Sequence, residues 1–304
     1  MENTQLAPVL LFTYKRLDTL KKTVRALEAN SLSVDSILYV FSDAAKTEKD
    51  ESIINEVRRY IKTISGFKTL IIIENETNKG LAISIIDGVT NVLKDYTSVI
   101  VLEDDLITTP NFLNFMNTAL VEFENKKHVF SISGYSFNLG KDENDQYDAY
   151  FLNRGWSWGW ATWKDRWDNV DWSIKDYNNF LTDKAKQKSF AKGGSDLNKM
   201  LHKQMTGNLD SWAVRWFYNQ FNLKGLTLYP VYSKVYNDGF DNEATHTKGS
   251  NKRYQPKLDN TNVANFNYPQ NVKVDDFYQK KFQNKMGIKS RILSKIDNLL
   301  KKVF

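Results

Sequence analysis

The sequence contains no cysteine. A chain without thiols builds neither a disulfide framework nor a thiolate-bound metal site, and it suits a reducing compartment. It also lacks any window approaching the roughly 18 apolar residues that a spanning helix needs. The N-terminal stretch MENTQLAPVLLFTYKR has a short apolar run with no basic segment ahead of it, the pattern of neither a secretory signal nor a membrane span. A spread of positive charge is missing too. The net charge is +6, yet residues 281–304 hold seven Lys or Arg against one Asp, so the body of the chain is close to neutral. Nucleic-acid binding calls for cations through the body of a domain, and nucleic acid is therefore not an expected partner. With 41% apolar and 13% aromatic residues over 304 positions, the chain is globular and long enough for a sizeable core.

What is present alternates. Residues 7–14 read as a strand and 17–29 as a helix, with Leu17, Leu20, Val24 and Leu27 at helical spacing. Strands follow at Ile37–Phe41, Thr69–Ile73 and Ser98–Leu102. Helices follow at Glu48–Ile64, Gly80–Leu93 and Pro110–Phe123, the last with Thr109 as its expected N-cap. Such alternation predicts an α/β fold with a mostly parallel sheet and helices on both faces. Ligands of such sheets bind beyond the carboxyl ends of the strands, where Thr13–Arg16, Asp43 and Glu103–Asp105 are expected to meet.

The second half has short strands at Val129–Ser133 and Leu226–Val231, a Trp-rich stretch at 155–163, helix-prone residues at 164–225 and a loop-like stretch at 237–280. The expected organisation is a ligand-binding half over 1–125, a second half of the same domain over 126–250, and a C-terminal extension over 251–304 with a basic amphipathic helix.

The acidic triplet Glu103-Asp104-Asp105 directly follows the apolar run VIVL. Unpaired carboxylates are costly to bury, so the strand is expected to end here. One reading is a site for Mg²⁺ or Mn²⁺, hard cations that take carboxylate oxygens together with those of a diphosphate. The other is an acidic flank that favours the dipole of the following helix.

At this point the sequence resembles the nucleotide-sugar glycosyltransferases of the GT-A (Rossmann-like) fold. The nearest in pattern are the inverting family 2 enzymes and the N-acetylglucosaminyltransferase I type, which carries a similar run of apolar residues, Glu-Asp-Asp-Leu, a short turn with Pro, and an aromatic helix. The resemblance spans roughly residues 7–240. It implies a UDP-sugar donor, a Mn²⁺ or Mg²⁺ cofactor held by Asp105, and donor contacts from Glu103 and Asp104. It further implies nucleotide contacts from Thr13, Tyr14 and Arg16, a uracil-accepting role for Asp43, and a donor-side loop at Asn78, Lys79 and Gly80. Bottom-up chemistry agrees in kind: Arg offers a planar fork for phosphate oxygens, and Gly lets backbone approach a ligand. Arg16, Asp43 and Gly80 also have plain readings as loop and turn residues.

Inverting transfer needs a second carboxylate, distant from the metal, to take the acceptor proton. The candidate is Asp210 in GNLDSWAVRWFYN, which resembles the family's base-bearing segment, although Leu209 stands where that segment has a second acid. Asp210 is equally expected to cap the Ser211–Asn222 helix. Trp212, Trp216 and Phe217 read as core.

GWSWGWATW matches the family's Gly-rich aromatic loop. Alternation at Trp156, Trp158 and Trp160 predicts that all three share one face of an extended segment, with Trp158, Gly159 and Trp160 lining the sugar site. His246, in NEATHTKG, is a candidate for the metal or the diphosphate, or a plain loop residue.

The tail IKSRILSKIDNLLKKVF puts apolar residues at helical spacing opposite Lys and Arg. Residues 286–304 therefore suit an anionic membrane surface or, alternatively, a face of the same domain. A peripheral position at the inner face of the cell membrane and a glycan or lipid-linked acceptor are the matching expectations. Two rivals remain in view. A nucleotidylyltransferase shares the sheet and metal logic, but FTYKRLDTL lacks the glycines expected after its first strand. A non-catalytic carbohydrate-binding protein would need the Trp loop but not the carboxylates.

Overall fold

A computed structural model describes residues 5–240 and 251–293. In chain order the strands are β1 (Val9–Thr13), β2 (Ile37–Ser42), β3 (Thr69–Glu74), β4 (Ser98–Glu103), β5 (Leu106–Thr108), β6 (Val129–Ser133), β7 (Ala149–Leu152), β8 (Trp160–Trp163), β9 (Leu226–Pro230) and β10 (Val235–Asn237). The α-helices are α1 (Leu17–Glu28), α2 (Glu51–Ile61), α3 (Leu81–Val92), α4 (Phe112–Phe123), α5 (Lys164–Trp167), α6 (Tyr177–Thr182), α7 (Lys184–Phe190), α8 (Leu197–Met205), α9 (Trp212–Asn222) and α10 (Asp276–Met286).

Eight strands form one sheet in the order β3-β2-β1-β4-β8-β6-β9-β7. The first four are parallel. The near-continuous apolar runs of the inner strands β1 and β4 reflect burial on both faces, whereas the edge strand β3 is only half-buried. Alternate side chains of β1 and β4 divide accordingly. Val9, Leu11, Ile100 and Leu102 pack with α1, α2 and α4, whereas Leu10, Phe12, Val99 and Val101 pack with α3 and α9. Antiparallel β8 then joins β4 to the strands of the second half, so both halves share one sheet. The mostly parallel, helix-flanked α/β sheet expected from the alternation is thus the one observed.

Local corrections have local causes. The helix expected from Pro110 starts at Phe112, because Thr109 donates its hydroxyl proton to Asn111 Oδ1 (2.9 Å) instead of capping. The segment expected as one helix from Glu48 divides into a 3₁₀ turn, Glu48–Asp50, and α2. Four short strands, β5, β7, β8 and β10, were hidden in stretches without clear alternation. The larger correction concerns the tryptophans. Trp156 lies in an aromatic cluster with Tyr135, whereas Trp160 packs on the α3/α9 side against Trp212 (5.0 Å between rings) and Trp216 (5.5 Å). Gly159, at φ +58°, takes the chain through a left-handed turn between them, and alternation fails across such a turn.

Two buried ion pairs tie the second half together. Arg154 makes paired hydrogen bonds to Asp196 (2.9 and 3.1 Å), which also meets Arg291 (2.7 Å). Lys234 is bonded to Asp259, which also accepts from Asn111 (3.0 Å). Burial alone would raise both carboxyls. The charge and hydrogen bonds of Arg154, then Arg291, outweigh it and hold Asp196 far below the ordinary range; Lys234, Thr261 and Asn111 hold Asp259 at about 2. Both groups are depressed relative to an unfolded value of about 3.9. The stability they contribute is therefore fully present above about pH 4 and is lost as pH falls towards 2. Thermal unfolding followed between pH 7 and 2.5 should show a steep fall in midpoint below about pH 4. Asp259→Asn, which strands a buried lysine, should lose roughly 3–5 kcal/mol at neutral pH. A variant as stable as the parent at pH 7 would remove this account.

Candidate active site

The parallel strands end at one rim because of their register: Thr13 lies opposite Ser42, and Phe12 opposite Glu103. The three polar clusters that follow β1, β2 and β4 are thereby brought together.

Asp104 is buried and turned back onto β1. Its Oδ2 accepts from Thr13 Oγ1 (2.8 Å) and from the Tyr14 amide (3.1 Å). Its carbonyl accepts from Thr23 Oγ1 (3.0 Å). Burial, and after it the charge of Asp105, pushes this carboxyl up to about 7 against the pull of the Thr13 and Tyr14 hydrogen bonds. Glu103 is half-buried and is pushed well above the ordinary range by burial, then by Asp105 and Asp104. Both shifts have one cause, acidic groups buried close together at the end of β4.

Asp105 is half-buried. Its Oδ2 lies 2.9 Å from Arg16 Nη1, and its carbonyl accepts from the Asp238 amide at 2.8 Å. Leu106 then enters β5, which pairs antiparallel with β10. This pairing carries the chain over the carboxylate: a Cβ at Gly239 would sit 2.0 Å from Asp105 Oδ2 and 2.8 Å from Arg16 Nη1. Gly239 is a site residue that the sequence reading passed over. The Asn-Asp-Gly turn signal was the available cue, but nothing local ties it to a residue 134 positions earlier.

Tyr14 serves the loop after β2 in this structure, its hydroxyl donating to Asp50 Oδ2 (3.1 Å) and accepting from the Lys46 amide (3.0 Å). Asp43 is buried and closes the loop after β3. Its Oδ1 accepts from the amides of Ala44 (3.0 Å) and Lys79 (3.0 Å) and from Asn75 Nδ2 (3.1 Å). Its Oδ2 accepts from Asn78 Nδ2 (3.1 Å) and the Gly80 amide (2.9 Å). Lys79 directs its ammonium to Asp87 (3.1 Å). Gly80, at φ +75°, begins α3.

Asp210 is exposed at the start of α9. The cap of that helix is Ser211, whose Oγ accepts from the Val214 amide (3.4 Å), so the capping expectation for Asp210 is corrected by one residue. A Cβ at Gly80 would lie 4.0 Å from Asp210 Oδ2, which brings the candidate base against the loop that Asp43 holds.

Of the three expected sugar-site residues, Trp158 is half-buried and edge-on to Tyr135 (4.7 Å between rings), Tyr254 (5.6 Å) and Phe240 (5.7 Å). Gly159 packs beside Val235 and Leu102. Trp160 is 1% exposed in the tryptophan core and is corrected from sugar contact to core residue. A cavity of ≈ 390 Å³ is lined by Tyr236, Asp238, Phe240 and Tyr254 among others, and two of these, Phe240 and Tyr254, are the ring partners of Trp158. His246 lies outside the described residues.

Among the described residues, no group of three or more His, Asp or Glu side chains could cage a cation unaided. The donor set nonetheless fits a hard divalent ion: Asp105, with Glu103 beside it, offers carboxylate oxygens, and diphosphate oxygens would complete such a shell.

The sequence model described as "Glycosyl transferase family 2" matches residues 9–185, from β1 into α7, which takes in the acidic triplet but not Asp210 or Gly239. No curated protein matches the chain. Solved structures similar to it include a mannosyltransferase, PcManGT from Pyrobaculum calidifontis, in complex with GDP-Man and Mn²⁺ (14% identity, 53% of this chain and 45% of that one, TM-score 0.36). They also include S. aureus TarS (12% identity, 76% and 36%, TM-score 0.39) and a galactosyltransferase, LgtC, with donor and acceptor sugar analogs (10% identity, 70% and 70%, TM-score 0.36). The matched region spans less than half the length of the first two.

Proposed function

The chain belongs to glycosyl transferase family 2, and from that premise we propose that it moves a hexosyl or N-acetylhexosaminyl group from a UDP-sugar to a hydroxyl of a glycan or lipid-linked acceptor, with inversion and with Mn²⁺ or Mg²⁺. The observation that carries this reading is the acidic rim: Asp105 follows the end of β4 with its Oδ2 2.9 Å from Arg16 Nη1, directly after Glu103 and the buried Asp104.

A divalent ion bound there would neutralise charge on the departing diphosphate. Asp105 would hold it, with Glu103 alongside. Arg16 would exchange its bond to Asp105 for phosphate oxygens, its planar fork suiting them. Asp210 would take the acceptor proton. As the acceptor oxygen bonds to the anomeric carbon, the bond from that carbon to the diphosphate breaks, its electron pair leaves with UDP, and the proton passes to an Asp210 oxygen. Because the transfer comes late, once the acceptor oxygen is already bonding, an ordinary carboxylate serves as base. Trp158 would place an aromatic face or edge against the sugars and exclude water.

The test is UDP release from a panel of UDP-sugars, with Mn²⁺, with EDTA, and with Mn²⁺ restored. EDTA should abolish turnover and Mn²⁺ should return it. Thermal shifts distinguish the rivals: a nucleotidylyltransferase should be stabilised by nucleoside triphosphate above UDP, and a carbohydrate-binding protein should ignore both. Turnover that persists fully in EDTA would sink the metal-dependent reading.

The same reading includes a peripheral place on the inner face of the cell membrane, in assembly of a surface polysaccharide or glycolipid. Most of the tail lies outside the described residues, but 288–293 are helical. There Arg291 turns inward to Asp196 and Ser195, while Ile288, Ile292 and Leu293 are 67, 52 and 65% exposed. That orientation favours a lipid surface over docking on the same domain. Replacing Ile292 and Leu293 by Asp should reduce co-sedimentation with phosphatidylglycerol-containing vesicles by about tenfold or more; unchanged sedimentation would end the proposal.

A further inference from the structure

We propose that Arg253 and Lys285 bind a phosphoryl group of the acceptor, beside the aromatic wall that Tyr254 shares with Trp158 and Phe240. The proposal deepens the glycosyl-transfer reading and rests on it for the acceptor; the anion site itself rests on geometry.

Tyr254 joins two surroundings. Its ring lies edge-on to Trp158 (5.6 Å between centroids) and stacked on Phe240 (5.7 Å), and it lines the ≈ 390 Å³ cavity with Asp238 and Phe240. That cavity begins beside the acidic rim, because Asp238 and Phe240 flank Gly239, which lies over Asp105. Arg253 lies over the same tyrosine ring, with 4.6 Å from Cζ to its centroid, and its Nη2 donates to the Tyr254 hydroxyl. The Tyr254 carbonyl accepts from the Tyr135 hydroxyl (2.7 Å), which ties this stretch of backbone to the aromatic cluster.

The remaining guanidinium donors, Arg253 Nε and Nη1, are buried and have no hydrogen-bond partner among the described residues. Trp156 Nε1 is in the same condition, in a residue 8% exposed whose ring is 6.4 Å from that of Tyr254. Donors buried without acceptors are costly, and a charged one more so. Lys285, on α10, adds a second half-buried cation. Burial, and after it the charge of Arg253, holds its ammonium below the ordinary value. Two cations and an indole N–H are all donors, and they call for a group that only accepts. A carboxylate would balance one cation, whereas a phosphate monoester, with a charge of about −2, balances both. The Arg253 side chain is half-buried as a whole, so a small rotation of its outer torsions turns the unpaired donors to a ligand. Gly287 ends α10, and the exposed Ile288, Ile292 and Leu293 follow, which suits a phosphate carried on a lipid.

The experiment titrates the full chain with phenyl phosphate and with phenyl β-glucoside by calorimetry, in EDTA and again with Mn²⁺ and saturating UDP. The parent is compared with Arg253→Met. The parent should bind phenyl phosphate in both conditions, and the variant should bind it more weakly by about tenfold or more, the worth of charged hydrogen bonds. The response to phenyl β-glucoside should not change. Without ligand, the variant should melt at the parental temperature or about 2 °C above it, because a buried charge without a partner has been removed. A guanidinium that served structure alone would lower the melting temperature instead. If Arg253→Met does not fold, Lys285→Met makes the same comparison. Co-sedimentation with phosphatidylcholine vesicles containing phosphatidic acid identifies the source. A drop in the variant, together with the loss of phenyl phosphate affinity, assigns the phosphate to a lipid; that loss with unchanged sedimentation assigns it to a soluble acceptor. Phenyl phosphate that fails to bind the parent, or binds parent and variant equally, overturns the proposal. The titration in EDTA needs no donor, so it decides the anion site even if no UDP-sugar proves to be a substrate.

Discussion

Asp210→Asn should lower sugar transfer by about 10²–10⁴-fold, the usual worth of a positioned general base, while UDP affinity stays within about twofold. The expectation has a structural reason. Asp210 is exposed and does not cap α9, since Ser211 fills that place. The substitution therefore removes a proton acceptor without unwinding the helix, and unfolding cannot mimic the loss. Ser211→Ala is the matching control. It should cost about 1 kcal/mol of stability, as loss of an N-cap does, and leave turnover near the parent value. Transfer measured with saturating donor separates the two variants. If Asp210→Asn transfers sugar at the parental rate, the base lies elsewhere or the anomeric centre is retained.

Asp105→Asn should have the other large effect. If its charge holds a divalent ion as proposed, the substitution removes several kcal/mol of transition-state stabilisation, and at 1.36 kcal/mol per tenfold in rate this is roughly 10²–10⁴-fold. The backbone contact from the Asp238 amide to the Asp105 carbonyl does not depend on the side chain, so β5 and β10 should keep their pairing. Calorimetric titration of Mn²⁺ in the presence of UDP should show binding to the parent and a weakening of at least tenfold in the variant. Gly239→Ala approaches the same carboxylate from the other side. Its Cβ would fall on Asp105 Oδ2 and force the 237–239 backbone away, so turnover should drop although every charge is retained. Normal Mn²⁺ affinity and turnover in Asp105→Asn would leave the acidic rim without its assigned purpose.

These two carboxylates were legible in different degrees. Asp105 is singled out because a charged triplet behind four apolar residues is a local anomaly, and burial physics asks for a reason. Asp210 is proposed from resemblance and chemical need; composition alone does not separate it from a capping residue one position away. The tryptophans were misread in part. Period-2 alternation holds for a regular strand, and Gly159 breaks it, sending Trp158 towards Tyr254 and Phe240 and Trp160 into the opposite core. Asp43 was located correctly at its strand end, but its five donors were invisible in the sequence.

The sequence by itself determined the alternation of strands and helices, the rim at which the parallel strands end, and the acidity of that rim. Each follows from periodicity and from the cost of burying charge, which act within a few residues. Only the tertiary structure decided that Gly239 lies over Asp105, that Asn75 and Asn78 donate to the Asp43 carboxylate, and that Gly80 meets Asp210. Those contacts join segments from about 30 to more than 130 residues apart. Their partners are selected by how the two sheets and the loops between them pack, and no local preference carries that information.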